Sequence, residues 1–339
     1  MYLFPIISKN RLSIILSLII SFCLFCFPTT AQAATEESPE KCNVGIFITS
    51  LYDLKPALNS FRANFWLWST CQSENNLPMK NIEVIQAQKV SSNLQFHEKK
   101  EGVYWSQRQF KALIHHKWNY SNFPFERQRI KIELEDGVND ASSLVYVPDI
   151  KNSTYNKRIK LDGLKIIDFQ LHEQKVSYST TFGNPSLLKP NSNYSRLVTT
   201  ITVARNGLSG FFFKLNAATY IAFALSLVSF FLHPKQASVF SARMSLLVGS
   251  LFAVVVNLRA SQAILGHTNS LTLVDKIHIT AMVYIFSAVT ISAISFKMCE
   301  VRREKLSLKL NKICFLIFSI SFFTINLILI SSAALASSE

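Results

Sequence analysis

FFFKLNAATYIAFALSLVSFFL (211–232), MSLLVGSLFAVVVNL (244–258), IHITAMVYIFSAVTISAISF (277–296) and ICFLIFSISFFTINLILISSAALA (313–336) are four apolar runs in the last third of a 339-residue chain. A helix rises about 1.5 Å per residue and the hydrocarbon core of a bilayer is about 30 Å thick, so roughly 20 apolar residues cross it. Three of the runs meet that length. With flanking turns added, the reading places membrane spans at 211–232, 242–262, 275–297 and 312–336. The second is the odd one, because Arg243 and Arg259 bracket only fifteen uncharged residues, about 22 Å of helix. A short apolar stretch with charged ends suits a water-filled lumen shared by several subunits better than it suits lipid.

Working outward, Lys9 and Arg11 precede an apolar run from Leu12 to Phe27, and Ala31-Gln32-Ala33 follows as a small-x-small cleavage site. That pattern reads as a secretory signal peptide over 1–33, with an uncleaved anchor as the alternative. Cleavage places 34–207 outside the cytoplasm, in the periplasm of a bacterium, and leaves 208–339 as a multi-pass domain of the inner (cell) membrane. The positive-inside rule gives the same orientation. The link between the third and fourth spans carries Lys297, Arg302, Arg303, Lys305, Lys309 and Lys312 against Glu300 and Glu304, whereas the outward link 260–274 carries no charge.

The formal charge of +14 is not a nucleic-acid footprint. Residues 34–210 hold 22 basic and 17 acidic side chains, a net of +5. Much of the remaining excess lies in the cytoplasmic links, where anionic lipid headgroups are the natural partner. Of six cysteines, Cys23 and Cys26 leave with the signal peptide, and Cys299 and Cys314 flank the membrane on the cytoplasmic side. Cys42 and Cys71 are extracytoplasmic. If 43–52 and 61–70 pair about a loop near Pro56, these two cysteines face each other across a hairpin and either form a disulfide or remain two buried thiols. No nucleophile elbow, phosphate loop or metal-ligand spacing beyond His115-His116 appears, so no enzyme, cofactor or metal is expected.

The outer region alternates with period two. Ile130, Ile132 and Leu134 interleave with Arg129, Lys131, Glu133 and Glu135, and Phe61, Ala63, Phe65 and Leu67 share one face while Trp66 and Trp68 take the other. Further strands are expected at 82–90, 103–118, 164–172, 174–181 and 194–204. Turn clusters such as Asp136-Gly137 and Gly183-Asn184-Pro185 separate them. The fold expected is an all-β, immunoglobulin-like antiparallel sandwich followed by a four-helix transmembrane bundle. The last strand runs almost directly into the first span.

Several motifs occur in order along 43–336. Val44-Gly45-Ile46-Phe47-Ile48 through Asp53, followed by Phe61-Arg62-Ala63-Asn64-Phe65-Trp66, opens the series. Asn122-Phe123-Pro124-Phe125-Glu126-Arg127-Gln128 comes next, and Ile201-Thr202-Val203-Ala204-Arg205 enters the first span. Together they resemble the pentameric ligand-gated ion channels, the Cys-loop receptor superfamily, in its bacterial form. The middle motif is similar to that family's FPFDxQ loop, with Glu for Asp and without the two flanking cysteines of the animal receptors. The resemblance implies a homopentamer, a small-molecule ligand or protons as the stimulus, a site between adjacent sandwiches, and a pore lined by the second span for a permeant ion.

Carried onto this sequence, the pore face is Ser241, Ser245, Gly249, Phe252, Val256 and Arg259, spaced by 4 and 3 so as to share one helix face, with ordinary helix packing as the alternative. A ring of Phe252 would close the lumen by dewetting. Phe240-Ser241-Ala242-Arg243 supplies no acidic ring at the inner mouth, and Arg259 near the outer mouth favours anions unless it pairs with Asp275 or snorkels to headgroups. The ligand site is framed by Trp66, Trp68, Tyr178 and Tyr194 and by the loop 183–193, an aromatic set that suits a cationic amine. His97, His115, His116 and His172 are the alternative, proton-sensing set. Coupling falls to Asp53 and to Phe123, Pro124, Phe125, Glu126 and Arg205, with Glu126 and Arg205 as an ion pair. The chain departs from the family in lacking a proline after Lys214. A non-conducting membrane receptor or accessory subunit of the same architecture is therefore the second reading.

Overall fold

The computed structural model describes residues 38–183, 192–265 and 270–336; the signal-peptide reading of 1–33 lies outside them. Ten strands, β1 (Glu40–Lys55), β2 (Ser60–Cys71), β3 (Ile82–Val84), β4 (Ala87–Lys100), β5 (Val103–His115), β6 (Arg127–Asp136), β7 (Leu144–Pro148), β8 (Thr154–Tyr155), β9 (Leu164–Tyr178) and β10 (Ser192–Arg205), precede four long helices. One sheet has the order β4-β5-β2-β1-β7 with β8 beside β1, and the other runs β3-β6-β10-β9. Strand β7 touches β9 and β10 of the facing sheet. The inward residues come from the alternating positions: Val44, Ile46 and Ile48, then Phe61, Phe65 and Leu67, then Ile130, Ile132 and Leu134. Each such side chain contributes about 1.5–3 kcal/mol on burial, so the sandwich has an ample core.

The first hairpin shows how sequence sets register. Pro56–Leu58 form a single 3-10 turn closed by Asn59 at φ 48°, and Asn43 pairs with Thr70. That brings Cys42 opposite Cys71, and the two are joined in a disulfide. On the outward face Gly45 pairs with Trp68. A Cβ at Gly45 would fall 2.3 Å from the Trp68 ring, so the glycine is what lets the indole lie flat on the sheet.

Three strand expectations need correcting. The stretch 82–90 is two strands in different sheets, because Gln86 at φ 60° breaks the run. Residues 164–181 are not two strands but one, β9, paired continuously with β10 apart from one bulge at Thr202/Val203. The sandwich is also not purely antiparallel, since the short β7 and β8 run parallel to β1.

The helices are α1 (Leu208–Val228), continued by a 3-10 turn to Phe231, α2 (Ala237–Leu265), α3 (Leu273–Glu300) and α4 (Glu304–Ala336). All four are long and apolar enough to cross a membrane, as expected of a multi-pass membrane protein. The second is not short: its 29 residues extend about 44 Å, past both bracketing arginines. Arg243 does not end the span but is fully buried inside the bundle. Its guanidinium donates to Asn311 Oδ1 (3.2 Å) and the Leu232 carbonyl (3.4 Å) and lies over the Phe230 ring. Thr272 and Asp275 form a reciprocal capping box that starts α3. Nearby, Asn257 Nδ2 donates to the Leu215 carbonyl (2.7 Å), tying α2 to α1. It also meets His278 Nε2 at 2.8 Å, tying α2 to α3. Polar ties of this kind hold helices where the hydrophobic effect offers no preference for neighbour over lipid.

Candidate functional site

Three groups of residues carry the chemistry. The first is the junction between sandwich and bundle. The loop between β5 and β6 drives Phe123 into a cluster with Tyr120, Leu215 of α1, Leu265 of α2 and Val274 of α3. Phe125 packs with Phe212 of α1 and the cluster of Leu273, Ile277 and Ala333. Pro124, joined to Phe123 by a cis peptide, lies between them. One short loop therefore packs into clusters to which all four helices contribute.

Beside it, Arg205 Nη2 meets Glu126 Oε1 at 3.3 Å. The guanidinium lies between two rings, 4.6 Å from the Phe123 centroid and 4.4 Å from that of Phe211. Glu126 is only 7% exposed, and its Oε2 has no hydrogen-bond partner. Burial pushes its carboxyl up to about 7 even though Arg205 draws it down. The neighbouring Tyr120 phenol is pushed up as well, by burial and then by Glu126. The junction thus holds a carboxyl poised to change charge near neutrality. Asp53 is not part of this cluster. It turns to Arg62 (3.3 Å) and Lys55 (3.8 Å) on its own hairpin.

The histidines divide differently. His116 is buried edge-on against Trp118, and burial, then His115, pushes it down to about 4. It stays neutral through the physiological range. His97 lies 3.7 Å from Glu74 and stacks on Tyr104.

The second group is an aromatic cluster on the facing sheet. Tyr178, Phe182 and Tyr194 meet edge to face, with centroids 5.5, 5.7 and 6.1 Å apart. Tyr178 donates to Glu135 Oε1 (3.0 Å). Arg196 donates to Glu135 (2.9 Å), to Glu133 (3.1 Å) and to the Tyr178 hydroxyl (2.6 Å). One cation against two carboxylates leaves a net negative charge below three rings. Burial raises both tyrosine phenols; for Tyr194, Asp140, Glu135 and Asp136 add to it. Phe182 was not singled out from the sequence, although its place in the turn after β9, four residues beyond Tyr178, is a usable signal. The rest of that loop, 184–191, lies outside the described residues.

Trp66 and Trp68 are half-buried on β2 in the other sheet. Trp68 Nε1 donates to Asp149 Oδ2 at 2.9 Å. One chain therefore does not gather the four expected aromatic residues into one site: the tyrosines are together and the tryptophans belong to a different sheet.

The third group is a face of α2. Arg243, Leu247, Ser250, Val254, Ser261 and Leu265 form its buried stripe. Ser241, Ser245, Gly249, Phe252, Val256 and Arg259 are all exposed. Asp275 is engaged by its own cap and by Gln262 (3.2 Å), which leaves Arg259 to the exposed side.

Among the described residues, Glu40, Cys42 and Cys71 have metal-ligand composition, but the two sulfurs are bonded to each other. No protein-family model matches this sequence, and no curated protein does either.

Proposed function

We propose that the chain is one subunit of a homopentameric ion channel of the bacterial inner membrane, gated in its periplasmic domain by a small cationic ligand or by protons. The observation that carries this reading is the exposed stripe of α2. Small residues share an exposed helix face there with Phe252, and the stripe ends in Arg259. A cationic residue and a run of small side chains gain little from lipid, whereas five copies around an axis would line a lumen, with Phe252 as its apolar constriction. The missing acidic ring and the five Arg259 side chains favour anions.

The aromatic residues support the pentamer in a second way. Tyr178, Phe182 and Tyr194 on one subunit and Trp66 on the next would complete a box that neither subunit forms alone. The net negative charge of Glu133, Glu135 and Arg196 suits an amine, attracted by charge and by ring faces. Binding there is felt on β9 and β10, and β10 ends at Arg205. The Glu126–Arg205 pair and the Phe123 loop then form the mechanical link to the helices. A two-state rearrangement of this buried pair is the switch.

The test is a planar-bilayer recording of the full-length protein with a pH step and an amine panel in asymmetric chloride. Gated current reversing at the chloride potential supports the whole reading. Reversal at the sodium potential keeps the channel and removes the anion assignment. The second reading, a non-conducting receptor, draws on α1, which runs unbroken through Leu215-Asn216-Ala217-Ala218 where the resembled family bends at a proline. It is favoured if protein shown to be inserted gives no current under any condition.

A further inference from the structure

Arg243 is a buried cation without a carboxylate. It is 0% exposed inside the bundle, and its Nε has no partner. The acidic groups its charge acts on are two thiols, Cys314 and Cys299. Hydrogen bonds carry the arrangement round a closed ring at the end of the bundle away from the sandwich. Arg243 donates to Asn311 Oδ1, and Asn311 Nδ2 donates to Ser295 Oγ (3.1 Å). Ser295 and Ser307 share a hydroxyl contact of 2.7 Å, and Ser307 Oγ lies 3.4 Å from Cys299 Sγ. Cys299 Sγ in turn meets His233 Nε2 at 4.0 Å. The residue before His233, Leu232, supplies the carbonyl to which Arg243 donates, which closes the ring. An ion pair between Lys235 and Glu304 (3.3 Å) pins the α1–α2 link to the start of α4 and so keeps His233 over the thiol. The two cysteines differ in access. Cys314 lies within the apolar run of α4, whereas Cys299 is the last residue but one of α3, is half-buried, and is followed by the exposed Val301, Arg302 and Arg303.

We infer that Cys299 is a modification site, which forms a reversible mixed disulfide with small disulfides that carry carboxylates. A thiol reacts as its thiolate, and a neighbouring cation together with an imidazole within reach of the sulfur is the setting that generates one. In the step itself the Cys299 proton passes to His233 Nε2 as Sγ attacks one sulfur of the small disulfide. A new S–S bond forms while the old one breaks, and the departing thiolate takes the proton from His233. The protein thiol is oxidised, and the small disulfide is reduced to one free thiol. The exposed Arg302, Arg303 and Lys305 draw an anionic disulfide towards the thiol and repel a cationic one. The adduct displaces the contacts of Cys299 with His233 and Ser307 and so opens the ring beside α2, which begins at Ala237, four residues after His233. On the cytoplasmic side of a membrane such disulfides are transient and sensing in kind. That compartment rests on the proposed orientation, whereas the chemistry of the thiol depends neither on it nor on conduction.

The test follows adduct formation with oxidised glutathione at pH 7 by peptide mass spectrometry on the detergent-purified full-length protein. The reference is Val301→Cys in a Cys299→Ser background, a thiol two residues on, at a position 55% exposed and with no role in the ring. Cys299 is expected to react about tenfold faster than this more exposed thiol. An ordinary thiol is only about 3% thiolate at pH 7, and lower nucleophilicity takes back part of the gain from fuller ionisation. A reference thiol that reacts as fast as Cys299, or faster, overturns the inference, because access alone would then set the rate. His233→Gln is expected to slow Cys299 by about tenfold and to leave the Val301→Cys thiol unchanged. No slowing at Cys299, or the same slowing at both positions, also overturns it. Cystamine, a dicationic disulfide, is expected to react more slowly than oxidised glutathione at low ionic strength, and the reverse order contradicts an anionic reagent.

Discussion

Replacing Arg205 by glutamine removes the cation that faces Glu126 while keeping most of the side chain's length. The pair is 3.3 Å apart, which at an effective dielectric of about 20 corresponds to about 5 kcal/mol of attraction. That attraction is largely offset by desolvation, since the Glu126 carboxyl still lies at about 7, above its usual 4.5. A raised carboxyl means that the folded protein binds a proton the unfolded chain does not between pH 4.5 and 7. Stability from this group therefore rises as pH falls through that window and levels off below it. At pH 8 Arg205→Gln removes the cation that lets Glu126 ionise, so the buried carboxyl takes up a proton, and linkage from a wild-type value of about 7 makes the variant cost about 1.4 kcal/mol more than it does at pH 5. At pH 5 Glu126 is already neutral, and the cost shrinks to the lost stacking on Phe123 and Phe211, about 1–2 kcal/mol. Glu126→Gln in the same background should recover most of the difference at pH 8, giving a coupling of about 1–3 kcal/mol. Chemical unfolding of the detergent-solubilised protein, followed by tryptophan fluorescence at both pH values, measures all four corners of the cycle. Additive effects at pH 8, or a cost that does not change with pH, would refute the account of the junction.

Other consequences are simpler to read. Gly45→Ala forces a Cβ to within 2.3 Å of the Trp68 ring, and is expected to cost about 1–3 kcal/mol, seen as a lowered Tm and a shifted tryptophan emission. Cys42→Ala/Cys71→Ala opens a loop with a sequence separation of 29, for which chain entropy gives about 3–4 kcal/mol; non-reducing gels and unfolding curves check it. Phe252→Ala should widen the constriction and give current without stimulus, whereas Leu247→Ala in the buried stripe should act on stability, by about 2–5 kcal/mol. Glu135→Gln should weaken a cationic ligand by about tenfold, as expected for loss of one charge-assisted contact, with basal current unchanged.

Much of this architecture is legible in the sequence because its physics is local. Alternation put Phe61, Ala63, Phe65 and Leu67 inward, and all four are buried. Sliding apolarity located every long helix. What failed depended on partners far away in the chain. The break at Gln86 sends β3 and β4 to different sheets, and only a positive φ, invisible in composition, marks it. Strands β7 and β8 have five and two residues, too short for alternation to declare itself, and they pair in parallel with a strand about a hundred residues earlier. Arg243 read as the end of a span because a lone charge is costly in lipid. In the bundle it is solvated by Asn311 of α4, by the Leu232 carbonyl and by the Phe230 ring, all on elements other than its own helix. The aromatic residues were legible individually, but their division between two sheets appeared only with the fold.

The most direct test of a lumen is the reactivity of single cysteines on α2 in membranes, using a water-soluble thiol reagent. Rapid labelling is expected at Ser245→Cys, Gly249→Cys and Val256→Cys and none at Leu247→Cys and Val254→Cys. If the first three are instead labelled only by a lipid-soluble reagent, that face looks into the bilayer, and α2 does not line a pore.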